Sequence, residues 1–182
     1  MGKWKKKSAE YILQSPWLSV RKDAYETPEG KIIDNFYIVE RPDFVMIVPQ
    51  TEDKKFILVR QYRHGVEDII LNFPMGFIIK GEKPKATAER ELFEETGFSG
   101  GHIEPLGNFL LAPPFTKTTV YAFMAMGLKE NNEVKNFADI EEIDKVVSVS
   151  EKELEDLIEK SKLCDLSSVC AYLLMKRKGH SR

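Results

Sequence analysis

Apolar and polar residues partly alternate from Trp17 to Tyr25, and a second β-rich run extends from Ile32 to Val39. Thr27-Pro28-Glu29-Gly30 lies between them and has turn chemistry, so the two runs predict a hairpin. Two more strands are expected from Phe44 to Val48 and from Phe56 to Tyr62, separated by the charged turn Glu52-Asp53-Lys54-Lys55. Ile69 to Phe73 is again β-rich, and Phe77, Ile78 and Ile79 extend an apolar strand beyond Pro74. The period then changes. Pro84 suits a first helical position and Gly97 a C-terminal stop, which predicts a helix with Ala88 and Leu92, four apart, on its buried side. Strands are expected from Ile103 to Leu111 and from Thr119 to Met126, joined by a rigid loop through Ala112-Pro113-Pro114-Phe115, and a short one from Val146 to Val149. Ser150 and Glu153 form a capping box for a helix ending near Lys160. Asp165 caps a last helix to about Arg177, with Leu166, Val169, Cys170, Leu173 and Leu174 as its apolar face. Strands mixed with helices on both sides predict an α/β sandwich.

Composition narrows the class without changing that picture. At 182 residues the chain can bury one sizeable core, and no internal repeat or low-complexity tract divides it. A net charge of -2 and a pI near 6.0 give no general attraction to nucleic acid or an anionic membrane. No apolar run approaches the roughly 20 residues that span a bilayer, so no membrane role is expected. Lys3, Lys5, Lys6 and Lys7 lead into no signal-peptide core and are expected to form a solvated tail. Cys164 and Cys170 lie six apart in an expected helix and so on different faces, which predicts buried apolar thiols and no mutual disulfide. Without an export signal or a paired-cysteine framework, the cytoplasm is the expected compartment.

The helix between Pro84 and Gly97 carries Arg90, Glu91, Glu94 and Glu95 in its last turns. At about 100° per residue, Glu95 lies about 40° and Glu94 about 60° from Glu91, so three carboxylates crowd one ridge. Like charges three and four residues apart repel, and carboxylates are disfavoured at the negative end of a helix. Arg90, four residues before Glu94, neutralises part of this charge, but one guanidinium does not balance three carboxylates. Hard oxygen ligands without histidine or cysteine suit Mg2+, with Mn2+ as the alternative, rather than Zn2+. A solvated acidic face is the ordinary alternative for such a run.

The stretch from Gly76 to Phe98 resembles the Nudix signature. Gly76, Glu82, Arg90, Glu91, Leu92, Glu94, Glu95 and Gly97 occupy its specified positions at the required spacings, and only Phe98 departs, being aromatic where the family has an aliphatic residue. The resemblance implies an α/β/α sandwich with a mixed sheet. Weaker similarity points to the ADP-ribose pyrophosphatase and nucleotide-sugar diphosphatase branch. It rests on Gln61-Tyr62-Arg63, on the lead-in Pro74-Met75-Gly76, on Pro113 or Pro114 beyond the signature, and on the late acidic stretch from Asp139 to Asp144. Asn72 stands where the branch has a glutamate, Met75 where it has alanine, and Ala112-Pro113-Pro114 where it has Ser-Pro-Gly. These departures touch substrate fit more than metal binding.

The branch resemblance implies an N-terminal tail and β subdomain over residues 1–42, a hydrolase domain over residues 43–182, and a homodimer that exchanges its N-terminal strands. It implies Mg2+ held by Glu91, Glu95 and Glu94 with the backbone carbonyl of Met75, and an attacking water activated there. Arg63 is the candidate phosphate or sugar clamp, against a surface salt bridge. Glu141 or Glu142 is the candidate general base, against a solvated loop, and His64 is a weaker candidate. Trp17, Phe36 and Tyr37 are candidate platforms for a base, against ordinary strand packing. Pro113 belongs to the expected substrate loop, while Gly76, Glu82, Arg90 and Gly97 are expected to shape the motif, Glu82 by accepting turn amides, against a place behind the metal ligands, and Arg90 by orienting the carboxylates. The expected reaction is hydrolysis of a nucleoside diphosphate sugar such as ADP-ribose. Enzymes for dinucleoside polyphosphates, NADH or nucleoside triphosphates, and a non-catalytic nucleotide-binding module, are the alternatives.

Overall fold

The computed structural model describes residues 2–131 and 143–179. They divide into two compact units, one made of the residues up to Asp43 with Phe109–Val120, the other of Phe44–Asn108 with the residues from Tyr121 onward.

The first unit is built on a three-stranded antiparallel sheet of order β1-β2-β3, with β1 at Lys5–Gln14, β2 at Ser19–Glu26 and β3 at Ile32–Glu40. The expected hairpin is β2-β3, closed by Gly30 N–H donating to the Thr27 carbonyl at 2.9 Å. The lysine-rich start is not a solvated tail: Lys5, Lys6 and Lys7 begin β1, a strand whose ten residues are all exposed. Its apolar pattern is therefore uninformative. Register on β2 holds it instead, with ion pairs from Lys7 to Glu26 at 3.0 Å and from Lys6 to Asp23 at 3.9 Å. Burial pushes the Asp23 carboxyl up, but hydrogen bonds from Arg21 and Tyr25 outweigh it and keep the group below the usual carboxylate range. The loop after Leu111 is tied within this unit by Val39 N–H to the Phe115 carbonyl at 2.8 Å.

The second unit holds β4 (Phe44–Thr51), β5 (Phe56–Arg63), β6 (Asp68–Asn72), β7 (Met75–Phe77), α1 (Pro84–Thr96), β8 (Phe98–Ser99), β11 (Ile143–Val149), α2 (Glu151–Glu159) and α3 (Leu166–Arg177). With β9 (His102–Leu110) and β10 (Thr119–Glu130), the strands form one eight-stranded sheet. Its main path runs β11-β5-β4-β10-β8, while β6 pairs with β5, β7 with β4 and β9 with β10. Every residue of β4 is buried, as a strand covered on both faces must be. Val45 and Ile47 pack with Ala88 and Leu92 of α1 and with Phe123, Ala125 and Leu128 of β10. Met46, pointing the opposite way, meets Ser168 of α3, so α1 and α3 cover opposite faces. This is the expected sandwich.

Four local expectations change. The buried face of α3 is Ser168, Ala171, Tyr172 and Met175, while Leu166, Cys170 and Leu173 of the expected apolar face are exposed, because apolar residues lie around most of this helix and its packing partner decides which side turns inward. The strand leading into the signature ends at Phe77, after which Ile78 packs on the core while Ile79 is exposed. Both cysteines are exposed rather than buried, and Cys164 precedes α3 rather than lying within it. Helical spacing from Asp165 cannot indicate the environment of a residue outside the helix. The short β8, which pairs with the end of β10, has no counterpart in the sequence reading because two residues carry no period.

Candidate active site

Pro84 occupies the start of α1, and Lys83 at its N-cap makes no side-chain cap. Gly97 ends the helix in the left-handed conformation, at a φ of 73°, with its N–H donating to the Phe93 carbonyl. This is the stop anticipated from sequence. Between these ends, Glu91 and Glu95 are nearly excluded from solvent, with relative exposures of 7% and 3%. The Glu94 side chain remains 48% exposed.

Arg90 connects the acidic residues. Its Nη1 donates to Glu91 Oε1 at 2.7 Å and to Glu94 Oε2 at 2.9 Å, and its Nε and Nη2 grip the two oxygens of Glu82 at 3.1 Å each. Glu82 also accepts the Thr87 hydroxyl at 2.8 Å, while its own N–H closes the turn on the Ile79 carbonyl at 2.8 Å. The Arg90 bonds, followed by that of Thr87, lower the Glu82 carboxyl to about 2. Reciprocally, the Glu82 bonds raise the guanidinium pKa. Glu82 thus takes side-chain donors from α1 more than the expected turn amides. Thr87 was missed because a threonine inside a helix gives no signal until its partner five residues back is known.

Strand β7 supplies the other wall. Met75 N–H donates to Glu95 Oε2 at 3.1 Å. A Cβ added to Gly76 would lie 1.9 Å from the carboxyl carbon of Glu91, so only glycine leaves this carboxylate its place. The motif implies a divalent cation, and the donors suit one: they are hard oxygens, two of them on buried carboxylates one helical turn apart, in a cradle that a single side-chain carbon would fill. Among the described residues no three acidic, histidine or cysteine side chains already close into a cage. Arg90 stands among Glu82, Glu91 and Glu94, so a cation bound through Glu91 Oε1 competes with its guanidinium.

The structure therefore brings together Met75, Gly76, Glu82, Arg90, Glu91, Glu94 and Glu95. Arg63 ends β5 in the same unit, where its carbonyl accepts the N–H groups of Val66 and Glu67 and its Nη2 is buried without a hydrogen-bond partner among the described residues. Among the described residues the guanidinium makes no ion pair. His64 is exposed and edge-on to the Tyr62 ring, with centroids 5.1 Å apart. Trp17, Tyr37 and Pro113 belong to the N-terminal unit. Trp17 lies in the bend between β1 and β2 rather than on a strand, 72% exposed; Tyr37 is exposed on β3; Pro113 is exposed in a turn. Phe36, by contrast, packs edge-to-face with Trp4 and Tyr25. Glu141 and Glu142 lie outside the described residues.

Residues 40–164 match the NUDIX domain, and residues 4–39 match the nucleoside diphosphate sugar hydrolase N-terminal domain. The chain belongs to the NUDIX family of hydrolases. It is 32% identical over 172 residues to an ADP-ribose pyrophosphatase of Bacillus subtilis, covering 92% of this chain and 90% of that protein. A methanol dehydrogenase activator of Bacillus methanolicus is 30% identical over 162 residues, covering 89% of this chain and 86% of that protein. Among solved structures, a crystal structure of an ADP compounds hydrolase superposes with a TM-score of 0.85 at 26% identity, covering 100% of this chain and 98% of that one. The α/β fold implied by the signature is the fold observed.

Proposed function

We propose that this chain hydrolyses ADP-ribose or a related nucleoside diphosphate sugar between its two phosphates, giving a nucleoside monophosphate and a sugar phosphate. The substrate class is supported by the match of residues 4–39 and by the names of the relatives. The observation that carries the chemistry is the pair of buried carboxylates, Glu91 and Glu95, held against Gly76 and Met75. Two anions at that depth and spacing are costly unless a cation shares them. Glu91 and Glu95, with Glu94 and the Met75 carbonyl, would hold Mg2+ or, alternatively, Mn2+. When bound, such an ion neutralises phosphate charge and lowers the pKa of a water.

Arg90 positions the carboxylates, and Glu82 holds Arg90 to the loop. Arg63 is assigned to a phosphate or the terminal sugar, supported by a buried Nη2 that has no hydrogen-bond partner among the described residues. Glu141 or Glu142 is assigned the base role from the resemblance. Trp17 or Tyr37 is assigned to the nucleobase and Pro113 to the substrate loop, supported by exposed aromatic surface in the N-terminal unit. Residues 1–42 are taken as a recognition subdomain and residues 43–182 as the hydrolase domain. Two exposed free thiols support a reducing, cytoplasmic compartment. Among the described residues no helix is long and apolar enough to cross a membrane.

The test is product analysis with ADP-ribose, GDP-mannose, ADP-glucose, NADH and diadenosine polyphosphates, using the wild type, Glu91→Gln and Glu95→Gln. Each substitution removes a negative ligand at nearly constant size, and turnover is expected to fall by about 100-fold or more, roughly 2.7 kcal/mol in the barrier, with the melting temperature held or raised. Near-normal cation-dependent turnover in either variant refutes the ligand assignment. A preference for triphosphates of more than about tenfold in kcat/KM refutes the substrate class.

A further inference from the structure

We propose that Ser168, in the first turn of α3 and 77 residues after Glu91 in the numbering, is a positioning residue for the cation site, acting through the link between β6 and β7. The link is Phe73-Pro74, buried at Phe73 and lying between β6 and β7 rather than in either strand. Its polar backbone groups can be accounted for completely. Pro74 has no N–H. The Phe73 carbonyl accepts Asn72 Nδ2 at 2.9 Å, and the Pro74 carbonyl accepts Ile47 N–H at 3.0 Å. The remaining donor, Phe73 N–H, reaches Ser168 Oγ at 3.0 Å.

That hydroxyl has a single proton and two acceptors within reach, Asp165 Oδ2 at 2.7 Å and Met46 Sδ at 3.8 Å. The short bond to a carboxylate is the stronger by far, so the proton goes to Asp165 and a lone pair is left facing Phe73. Asp165 is itself fixed as the α3 N-cap, accepting Ser168 N–H at 2.8 Å. Leu71 and Leu163 add a parallel bridge on the same side. The link is thus anchored to α3 immediately before Met75, whose N–H bonds Glu95. Displacing Phe73 moves Met75 against a carboxylate that must keep its place, and the orientation of ligands through their hydrogen-bonded supports governs cation affinity. Ser168 is wholly buried, so water does not replace it without rearrangement.

The inference rests on the assignment of Glu91 and Glu95 as cation ligands. Ser168→Ala removes the acceptor, and Ser168→Cys keeps the size with a poor acceptor if the alanine protein does not fold. Mn2+ affinity is read by electron paramagnetic resonance on the folded proteins, with kcat and KM alongside. Loss of such a supporting contact is expected to weaken Mn2+ binding by about tenfold and to lower kcat more than it raises KM. A folded variant with wild-type Mn2+ affinity and a lowered melting temperature alone overturns the proposal. Glu95→Gln separates the two levels: if it too binds Mn2+ normally the ligand assignment fails, whereas if it alone loses binding only the role of Ser168 fails.

Discussion

Glu82 shows how a loop residue that is no part of the acid ridge controls it. Its two oxygens take the Nε and Nη2 of Arg90, which leaves Nη1 for Glu91 and Glu94. One guanidinium thereby serves three carboxylates by dividing its donors, with the planar fork spent on the one that fixes its direction. The folded Glu82 carboxyl titrates at about 2 against an ordinary value of 4.5. A depressed pKa stabilises the folded state fully above the ordinary value, and that stabilisation is lost as pH falls through the folded one. Glu82→Gln is therefore expected to melt below the wild type by a constant margin at neutral pH. The margin should narrow between pH 4.5 and about 2. Thermal melts of both proteins across that range check this; an unchanged margin at pH 3 would show that the fork does not set the titration.

At the scale of the element, α1 must satisfy two demands with opposite chemistry. One side, through Ala88 and Leu92, packs on Val45 and Ile47 of β4; the adjoining side holds Glu91 and Glu95 against β7. The N-cap contributes little, since Lys83 makes no side-chain cap, and no basic residue stands in the last turn to oppose the helix dipole. Apolar packing must therefore carry the helix. Leu92 is 2% exposed, and Leu92→Ala is expected to cost about 2–5 kcal/mol by loss of transfer energy and creation of a cavity. Urea unfolding measures it. A change below about 1 kcal/mol would mean that the surface of β4 relaxes into the gap.

On the whole-molecule scale, the N-terminal unit presents much apolar surface for its size, with Ile12, Leu13, Trp17, Ile32, Tyr37 and Phe115 all exposed. Association is what removes exposed apolar surface of this kind from water. A homodimer is the proposed form, with residues between Trp17 and Val39 completing the partner's site. Light scattering at micromolar concentration is expected to give twice the monomer mass, and removing the strands is expected to reduce activity along with association. A fully active monomer refutes this.

Most of the elements were legible from the chain because their signals are local. Pro84 and Gly97 bound α1, Ser150 and Glu153 form their capping box, and Asp165 caps α3, each by chemistry confined to a few residues. The acid ridge was legible for the same reason, since helical spacing alone brings Glu91, Glu94 and Glu95 near one another. Strand β1 was not, because all its residues are exposed and its position comes from register on a neighbour. The burial of Glu91 and Glu95 was also decided by tertiary packing: the same residues form a solvated face until β7 brings Gly76 and Met75 against them. Backbone donors such as those of Met75 and Phe73 carry no mark in a residue pattern, so their bonds to Glu95 and Ser168 exist only once the chain has folded. The sequence by itself determined the helix, its charges and the family to which they belong. Only the tertiary structure decided which carboxylates leave solvent and what holds them there, because desolvation and hydrogen-bond satisfaction depend on partners far apart along the chain.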